Sequence, residues 1–185
     1  MAENKFWKLL RKGETTDLKL FKGRFDFYLN KRTGKEERMV VMHSRDAANV
    51  LALTKEGKIV MVKQFRFGIE EDTIEVPGGL VEKGEDPMVA AQRELLEETG
   101  YSGGKWSSLG YIHSNPVYMR GMIHQYLAVG VEKTDAQTLD AGENIEVLEI
   151  TPEELKVFYK NESLRHPHTM TCISKVFDLY EKVKV

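Results

Sequence analysis

The chain contains a single cysteine, Cys172, among its 185 residues. One cysteine cannot form a disulfide within the chain and leaves no multi-cysteine zinc site. A chain without disulfides is typical of a reducing compartment, so we expect the cytoplasm. No apolar run approaches the roughly 18 residues of a membrane span. The first twelve residues also lack the hydrophobic segment of a signal peptide. These features predict a soluble intracellular protein with no membrane partner.

Basic residues are not in excess, since 27 Lys and Arg stand against 29 Asp and Glu and give a net charge of -2. Dedicated nucleic-acid binders usually carry a basic surplus, so we expect no nucleic-acid partner. Hydrophobic residues make up 41% and charged residues 30% of the chain. This composition supports a packed core and excludes a disordered chain. The length favours one domain with a small N-terminal appendage.

The pattern of apolar residues predicts more strands than helices. Strands are predicted at 25–29, 39–43, 48–53, 58–66, 106–113, 123–131 and 145–150. Asp86 as N-cap, Pro87 as first residue and Gly100 as terminator delimit a helix over 87–99. A capping box at 151–154 opens a second helix, and the periodicity predicts a third over 169–182. The irregular spacing of the strands indicates a mixed α+β fold rather than repeating βαβ units.

Three carboxylates share one face of the helix predicted at 87–99. At about 100° per residue, Glu94, Glu97 and Glu98 fall within a sector about 100° wide. A solvated polar face is the common explanation for such a pattern. However, no Lys or Arg follows Glu94 within the helix, and Pro77-Gly78-Gly79 brings bare backbone close to the same region. Carboxylates joined by a backbone carbonyl make an oxygen-only ligand set, which favours Mg²⁺ or Mn²⁺ over zinc.

The residues around this helix resemble the Nudix box, the signature of hydrolases that split nucleoside diphosphates linked to another group. The seven fixed positions of the motif are filled at the set spacing by Gly79, Glu85, Arg93, Glu94, Glu97, Glu98 and Gly100. Tyr101 stands where the family usually has an aliphatic residue. The resemblance implies a Nudix-type α/β/α sandwich of mixed sheets over residues 45–185, preceded by an N-terminal β extension over residues 1–44.

Residues outside the box are similar to the subgroup that hydrolyses ADP-ribose and related nucleoside diphosphate sugars. They are Gln64-Phe65-Arg66, the segment 75–79 and Pro116. The resemblance implies that Gln64, Arg66 and Pro116 contact the substrate, and that the products are a nucleoside monophosphate and a sugar phosphate. GDP-mannose, NADH or a dinucleoside polyphosphate are alternative substrates. A non-catalytic sensor that binds ADP-ribose is an alternative from another class of protein.

The chemistry of a diphosphate also points to these carboxylates. Its anionic oxygens repel a nucleophile, so hydrolysis needs divalent cations that neutralise charge and acidify a water molecule. We expect Glu94, Glu97, Glu98 and the Gly78 carbonyl to hold the metal, as the resemblance also implies. Arg93 lies four residues before Glu97 and is expected to hold that carboxylate as an ion pair.

The general base in the subgroup that the chain resembles is a glutamate on a mobile loop after the box. Its counterpart here is the stretch 140–144, and we choose Glu143. Asp140 and Glu146 are alternatives, as is a merely solvated acidic loop. For Glu85, a structural role and a favourable interaction with the helix dipole are both open.

Members of that subgroup are commonly homodimers whose N-terminal strands cross to the partner. We expect a homodimer here too, because aromatic residues in the N-terminal extension offer surface for such a contact or for base stacking. They are Phe21, Phe25, Phe27 and Tyr28. His166-Pro167-His168 has a spacing that suits zinc but lacks a third ligand nearby, so we interpret it as a loop before the last helix.

Overall fold

The computed structural model describes residues 4–179. They divide into two compact units, one formed by residues up to 46 with 113–122, the other by residues 47–112 with those from 123 onward. The sequence analysis placed the boundary after residue 44 and left 113–122 in the second part. In the structure this segment joins the first unit through the backbone. Met42 N–H donates to Tyr118 O at 2.7 Å, and Arg120 N–H donates to Met42 O at 2.9 Å.

The first unit contains a four-stranded antiparallel sheet. Its strands are β1 (Trp7–Lys12), β2 (Thr16–Asp17), β3 (Lys22–Asn30) and β4 (Lys35–His43). The predicted hairpin is confirmed, since β3 and β4 pair from Lys22 opposite His43 to Asn30 opposite Lys35. Strands β1 and β2 were not predicted, because one is almost wholly exposed and the other is only two residues long.

The second unit contains a seven-stranded mixed sheet in the order β11-β6-β5-β10-β9, with β7 paired to β6 and β8 paired to β5. The strands are β5 (Ala47–Thr54), β6 (Ile59–Arg66), β7 (Glu71–Glu75), β8 (Gly78–Leu80), β9 (Tyr101–His113), β10 (Met122–Lys133) and β11 (Ile145–Ile150). The sheet is mixed because β10 runs parallel to β5 whereas β6 runs antiparallel to it.

Helices cover both faces of this sheet. They are α1 (Pro87–Thr99), α2 (Pro152–Lys160) and α3 (Pro167–Ser174). Successive strand residues point to opposite faces, so β5 contributes to two apolar clusters. One cluster packs under α1 and includes Ala48, Val50, Ala52, Ala90 and Leu95. The other packs under α2 and α3 and includes Leu51, Ile59, Leu155 and Ile173. The predicted α/β/α layering is therefore present in this unit.

The third helix differs from its prediction over 169–182. It begins at Pro167, because proline suits the first helical turn, and it ends at Ser174, where Lys175 N–H donates to Cys172 O and Ile173 O. The His-Pro-His segment therefore opens the helix instead of forming a loop before it. The predicted stretch 180–182 lies outside the described residues. No helix between residues 4 and 179 is long and apolar enough to cross a membrane.

Candidate active site

Helix α1 carries the predicted carboxylates, and local chemistry fixes both of its ends. The Asp86 side chain accepts from the N–H groups of Met88 and Val89, and Gly100 closes the helix with φ 76° in the left-handed region. The helix spans the predicted residues 87–99. The carboxylates of α1 therefore lie on a helix whose first and last residues are both fixed by local contacts.

Arg93 lies beside the carboxylate face and contacts two of its acids, Glu94 and Glu97, together with Glu85 before the helix. Its Nε donates to Glu85 Oε1 at 3.0 Å. Its Nη1 donates to Glu94 Oε1 at 2.7 Å and to Glu97 Oε2 at 3.0 Å, and its Nη2 donates to Leu80 O at 3.2 Å. The predicted ion pair with Glu97 is present. One guanidinium thus offsets the repulsion among acids that the sequence left unexplained.

Glu85 accepts two hydrogen bonds from that guanidinium, Nε to Oε1 and Nη2 to Oε2, and is not the cap of α1. Its Oε2 also accepts from Glu82 N–H at 2.8 Å. Hydrogen bonds from Arg93, followed by the one from Glu82, lower the pKa of the Glu85 carboxyl. Asp86 performs the capping. Of the two readings left open for Glu85, the contacts agree with the structural one.

Glu94 packs directly on the glycine pair that precedes the helix. A Cβ built on Gly79 would lie 2.4 Å from Glu94 Cδ, and a Cβ on Gly78 would lie 2.3 Å from Ala48 O. At Gly78 the close atoms are backbone, so only glycine fits there, whereas at Gly79 the close atoms belong to the Glu94 carboxylate itself. Burial raises the pKa of Glu94, and the hydrogen bond from Arg93 opposes that rise.

Glu98 is the buried member of the set, with 3% of its surface exposed. Its Oε2 accepts from Gly78 N–H at 2.8 Å, which joins the helix to the glycine pair. Burial raises the pKa of Glu98 to about 8, and the charges of Glu94 and Glu143 add to the rise while Gly78 N–H opposes it. A buried carboxylate with so high a pKa needs a cation if it is to be ionised at neutral pH.

The donor set fits a divalent metal ion. Between residues 4 and 179, no three His, Cys, Asp or Glu side chains converge in an arrangement ready for a metal. Instead, Arg93 and Gly78 N–H satisfy oxygens of Glu94, Glu97 and Glu98. Nevertheless, all three carboxylates are hard oxygen donors. Glu94 and Glu98 are also desolvated, and the backbone of the glycine pair lies against both of them. These are the ligands that Mg²⁺ and Mn²⁺ prefer.

The loop over residues 134–144 is attached to the C-terminal end of α1. Gln137 Nε2 donates to Glu98 O at 2.6 Å and to Ile145 O at 3.2 Å. The last carbonyls of a helix have no partner within the helix, and here the loop supplies donors for them. The loop N–H groups that donate to Glu97 or Gly100 are those of Thr134, Asp135 and Thr138.

Glu143 lies on the far part of this loop, in a tight turn. Glu143 N–H donates to Asp140 O at 2.9 Å, and Asp140 N–H donates to Glu143 Oε2 at 3.1 Å. The side chain is exposed, but its charge still acts on the site, because it helps to raise the pKa of both Glu94 and Glu98. Glu146 forms an ion pair with Lys63 at 3.8 Å instead.

Arg66, the predicted substrate contact at the end of β6, is held by Glu75 of β7. Its Nε lies 2.6 Å from Glu75 Oε1 and its Nη2 lies 2.5 Å from Glu75 Oε2. The hydrogen bond to Glu75 raises the pKa of Arg66, and the charges of Glu98 and Glu143 also contribute. The guanidinium therefore lies within electrostatic reach of the acidic site.

Two other predicted substrate contacts have different surroundings. Gln64 pairs with Thr73 and with Ile145 across neighbouring strands and lines a surface depression with Leu139 and Asn144. Pro116 belongs to the first compact unit, in a turn where Asn115 O accepts from Tyr118 N–H and Met119 N–H.

Comparison with known proteins identifies the family of the chain. A family model described as the NUDIX domain matches residues 43–170. The chain belongs to the Nudix hydrolase family. It is 37% identical to the methanol dehydrogenase activator of Bacillus methanolicus over 156 aligned residues. The aligned region covers 84% of this chain and 82% of that protein.

Other similar proteins are named after their substrates. The ADP-ribose pyrophosphatase of Bacillus subtilis is 39% identical over 122 residues, 65% of this chain and 66% of that protein. A GDP-mannose pyrophosphatase of Escherichia coli is 29% identical over 151 residues, 76% of this chain and 77% of that protein. A crystal structure of an ADP compounds hydrolase superposes with a TM-score of 0.82 over 95% of both chains at 16% identity, which shows that the Nudix fold is shared.

The family's usual aliphatic position after the box is occupied by Tyr101, which is buried in the cluster under α1. Its hydroxyl donates to the carboxylate of Glu149 on β11. Burial, together with this hydrogen bond, raises the pKa of Tyr101 to about 12. The departure from the motif therefore changes packing and leaves the carboxylate face of the Nudix helix untouched.

Sequence reasoning did not assign two residues that hold the site together. Glu75 was noted only as part of a segment similar to the subgroup, yet it holds Arg66. Gln137 was not noted, yet it connects the loop to α1. The only signal for Glu75 was its place in the segment 75–79, because the strand that carries it was not predicted. Gln137 offered no signal, because an amide in a polar loop is unremarkable until its partners are known.

Proposed function

We propose that this Nudix protein hydrolyses the diphosphate bond of nucleoside diphosphate sugars such as ADP-ribose, releasing a nucleoside monophosphate and a sugar phosphate. The observation that carries the proposal is the carboxylate face of α1, where Arg93 donates to Glu94 and Glu97 and Gly78 N–H donates to Glu98. The similar ADP-ribose and GDP-mannose pyrophosphatases support the substrate class.

In this proposal Glu94, Glu97, Glu98 and the Gly78 carbonyl hold Mg²⁺, or Mn²⁺ in its place. When bound, the cation neutralises charge on the diphosphate and acidifies a water molecule. The chain's own contribution begins with Arg93, which keeps Glu94 and Glu97 oriented through two hydrogen bonds from one nitrogen. Because burial raises the pKa of Glu98 to about 8, cation binding at neutral pH is coupled to release of the proton from this carboxyl.

Glu143 is proposed as the general base that accepts a proton from the attacking water. Its position on an exposed turn, with its charge felt by Glu94 and Glu98, suits a group that approaches the substrate from solvent. Arg66 is proposed to bind an anionic oxygen of the diphosphate, because a guanidinium pairs well with phosphate oxygens. Gln64 and Pro116 are proposed as further substrate contacts.

A substrate panel tests this function. ADP-ribose, GDP-mannose, NADH, diadenosine polyphosphates and ATP are incubated with the full chain and Mg²⁺, and the products are separated by chromatography. We expect kcat/KM to be highest for a nucleoside diphosphate sugar, with a nucleoside monophosphate as product. A triphosphate or a dinucleotide as the best substrate would overturn the substrate class. Binding of ADP-ribose without turnover of any compound would favour a non-catalytic sensor.

We also propose that the protein is a homodimer that uses the sheet of the first unit. Phe25 and Val40 lie opposite each other across β3 and β4 and are 43% and 44% exposed. Exposed apolar side chains also occur at Leu9, Leu10, Leu18, Leu20 and Met39. A concentration of exposed apolar surface is typical of a protein interface.

A further inference from the structure

The Arg66 guanidinium is held along one edge only. Glu75 accepts from Nε and from Nη2, in the two-bond geometry that orients an arginine most firmly. A guanidinium carries five N–H donors. Within residues 4–179, the other donors of Arg66 have no hydrogen-bond partner in the structure, so the edge formed by Nη1 and Nη2 is available to an anion.

Glu75 is itself fixed by groups on its other side. The carboxylate is buried, with 3% of its surface exposed. Thr73 Oγ1 donates to Glu75 Oε1 at 2.5 Å, and His166 Nδ1 lies 3.4 Å from Glu75 Oε2. Burial alone would raise the pKa of Glu75, but Arg66, His166 and Thr73 together lower it. Both carboxylate oxygens therefore have partners, and the side chain cannot rotate without breaking several contacts.

The start of α3 contacts Glu75 through His166 and contacts Val76, the residue after β7, through Thr169. Val76 N–H donates to Thr169 Oγ1 at 3.1 Å, and Thr169 Oγ1 lies 3.4 Å from His166 Nδ1. Arg165, which precedes α3, donates to the carboxylate of Glu71 at the other end of the strand, and this separate ion pair contacts neither Glu75 nor Arg66. A chain of contacts thus runs from the first turn of α3 through Glu75 to Arg66, within one compact unit.

We propose that Glu75 is a positioning residue that turns the Nη1–Nη2 edge of Arg66 toward the diphosphate, and that Thr73 and the first turn of α3 lock Glu75 in that role. The inference rests on the proposed function, because it needs an anionic substrate at Arg66. Glu75 touches no substrate itself. Because Glu75 already restricts the orientation of Arg66 in the free protein, Arg66 loses less conformational entropy when substrate binds. Loss of Glu75 should therefore weaken substrate binding more than it slows the chemical step.

The test compares matched changes at Thr73. Thr73→Val keeps the volume and removes the hydroxyl that holds Glu75, whereas Thr73→Ser keeps the hydroxyl. Arg165→Gln is a control that loosens α3 from Glu71 without touching Glu75. For each variant, kcat and KM are measured with ADP-ribose and Mg²⁺, ADP-ribose binding is measured by calorimetry in EDTA, and the unfolding midpoint is recorded. Glu75→Gln is measured in the same way.

We expect Glu75→Gln to raise KM and the dissociation constant by about tenfold, in line with loss of a charged hydrogen bond, with a smaller change in kcat. Thr73→Val should raise both by about threefold to fivefold, and Thr73→Ser and Arg165→Gln should stay near the wild type. In the neutral background Arg66→Met/Glu75→Gln, Thr73→Val should have no further effect, because the contact it supports is gone.

A merely structural role gives a different pattern. If Thr73→Val lowers binding by the same factor in the neutral background, or if Thr73→Val and Thr73→Ser are equal, the inference is overturned. If Glu75→Gln fails to fold, the Thr73 pair and the background comparison still decide. Turnover of ADP-ribose that is equal in all variants overturns the inference and leaves the proposed function standing. Absence of both turnover and binding in the wild type overturns the proposed function, and this inference with it.

Discussion

Glu97 is the most accessible carboxylate on the Nudix helix, with 41% of its side chain exposed against 12% for Glu94. Glu97→Gln keeps the size of the side chain and removes its charge, so the fold should persist while cation binding suffers. We expect kcat to fall by at least about a hundredfold with an unchanged unfolding midpoint. Glu153→Gln, on the exposed part of α2, is the control. Near-normal turnover of Glu97→Gln in Mg²⁺ would contradict the catalytic role.

The loop glutamate can be separated from its acidic neighbours by substitution. If Glu143 is the base, Glu143→Gln should lower kcat by roughly 10² to 10⁴ and leave KM almost unchanged, because only proton transfer is impaired. Asp140→Asn and Glu146→Gln test the alternatives under the same conditions. A loss confined to KM would make Glu143 a binding residue, and a larger loss at Asp140 or Glu146 would move the base.

His166 gives the protein a calculable sensitivity to acid. Burial lowers the pKa of His166 from 6.5 to about 4. Between these values the unfolded chain binds a proton that the folded chain does not, so the free energy of unfolding falls as the pH drops below 6.5. From pH 7 to pH 5 this group should remove about 2 kcal/mol. Urea unfolding of His166→Gln should show a weaker decrease over that range, and equal slopes for the two proteins would contradict the assignment.

At the scale of the element, the capping of α1 makes a prediction of its own. Asp86 accepts from two N–H groups in the first turn, so Asp86→Ala should lower the free energy of unfolding by about 1 kcal/mol. Asp86→Ser keeps an acceptor at the cap and should recover most of that loss. Chemical denaturation of the three proteins measures both effects. An equal loss in both variants would mean that the cap hydrogen bonds contribute little.

The elements differ in how far the sequence determines them. Helix α1 could be predicted to the residue, because Asp86, Pro87 and Gly100 act locally on the backbone. Helix α3 could not, because the sequence continues past Ser174 with apolar residues that fit a helix as well as they fit a loop packed on the core. Strands β7 and β8 were missed because they are only five and three residues long, and β8 pairs with β5, far back in the sequence, although β7 pairs with the neighbouring β6.

The candidate site likewise has one part that the sequence predicts and another part that it does not. Glu94, Glu97 and Glu98 could be placed together because the helix period alone brings them to one face. The approach of the glycine backbone was expected from Pro77-Gly78-Gly79, and the structure shows it as a hydrogen bond from Gly78 N–H to Glu98. The partners of Arg66 and the attachment of the 134–144 loop depend on pairs of residues separated by 9 and 39 positions. No local pattern encodes such pairs, so they emerge only when the sheet is assembled.

At the scale of the whole molecule, the segment 113–122 shows how a short insertion can join one unit while its flanking strands belong to another. Strand β9 enters this segment and β10 leaves it. Its contacts with β4 are backbone hydrogen bonds, which leave no mark on the pattern of side chains. The sequence boundary near residue 44 therefore described where the first sheet ends, and not everything that packs with it.

The exposed face of the first sheet leads to the last prediction. A sheet face that leaves Phe25 and Val40 nearly half exposed is expected to pair with a second copy of the chain, because burial of this apolar surface favours association. We expect light scattering coupled to size exclusion to give the mass of a dimer at micromolar concentration. Val40→Lys places a charge in the interface and should shift the protein toward the monomer. Val157→Lys changes a valine on α2 that is even more exposed, 57% against 44% for Val40, and should not shift the mass. A monomeric wild type, or a dimer that survives Val40→Lys unchanged, would rule out this face as the interface.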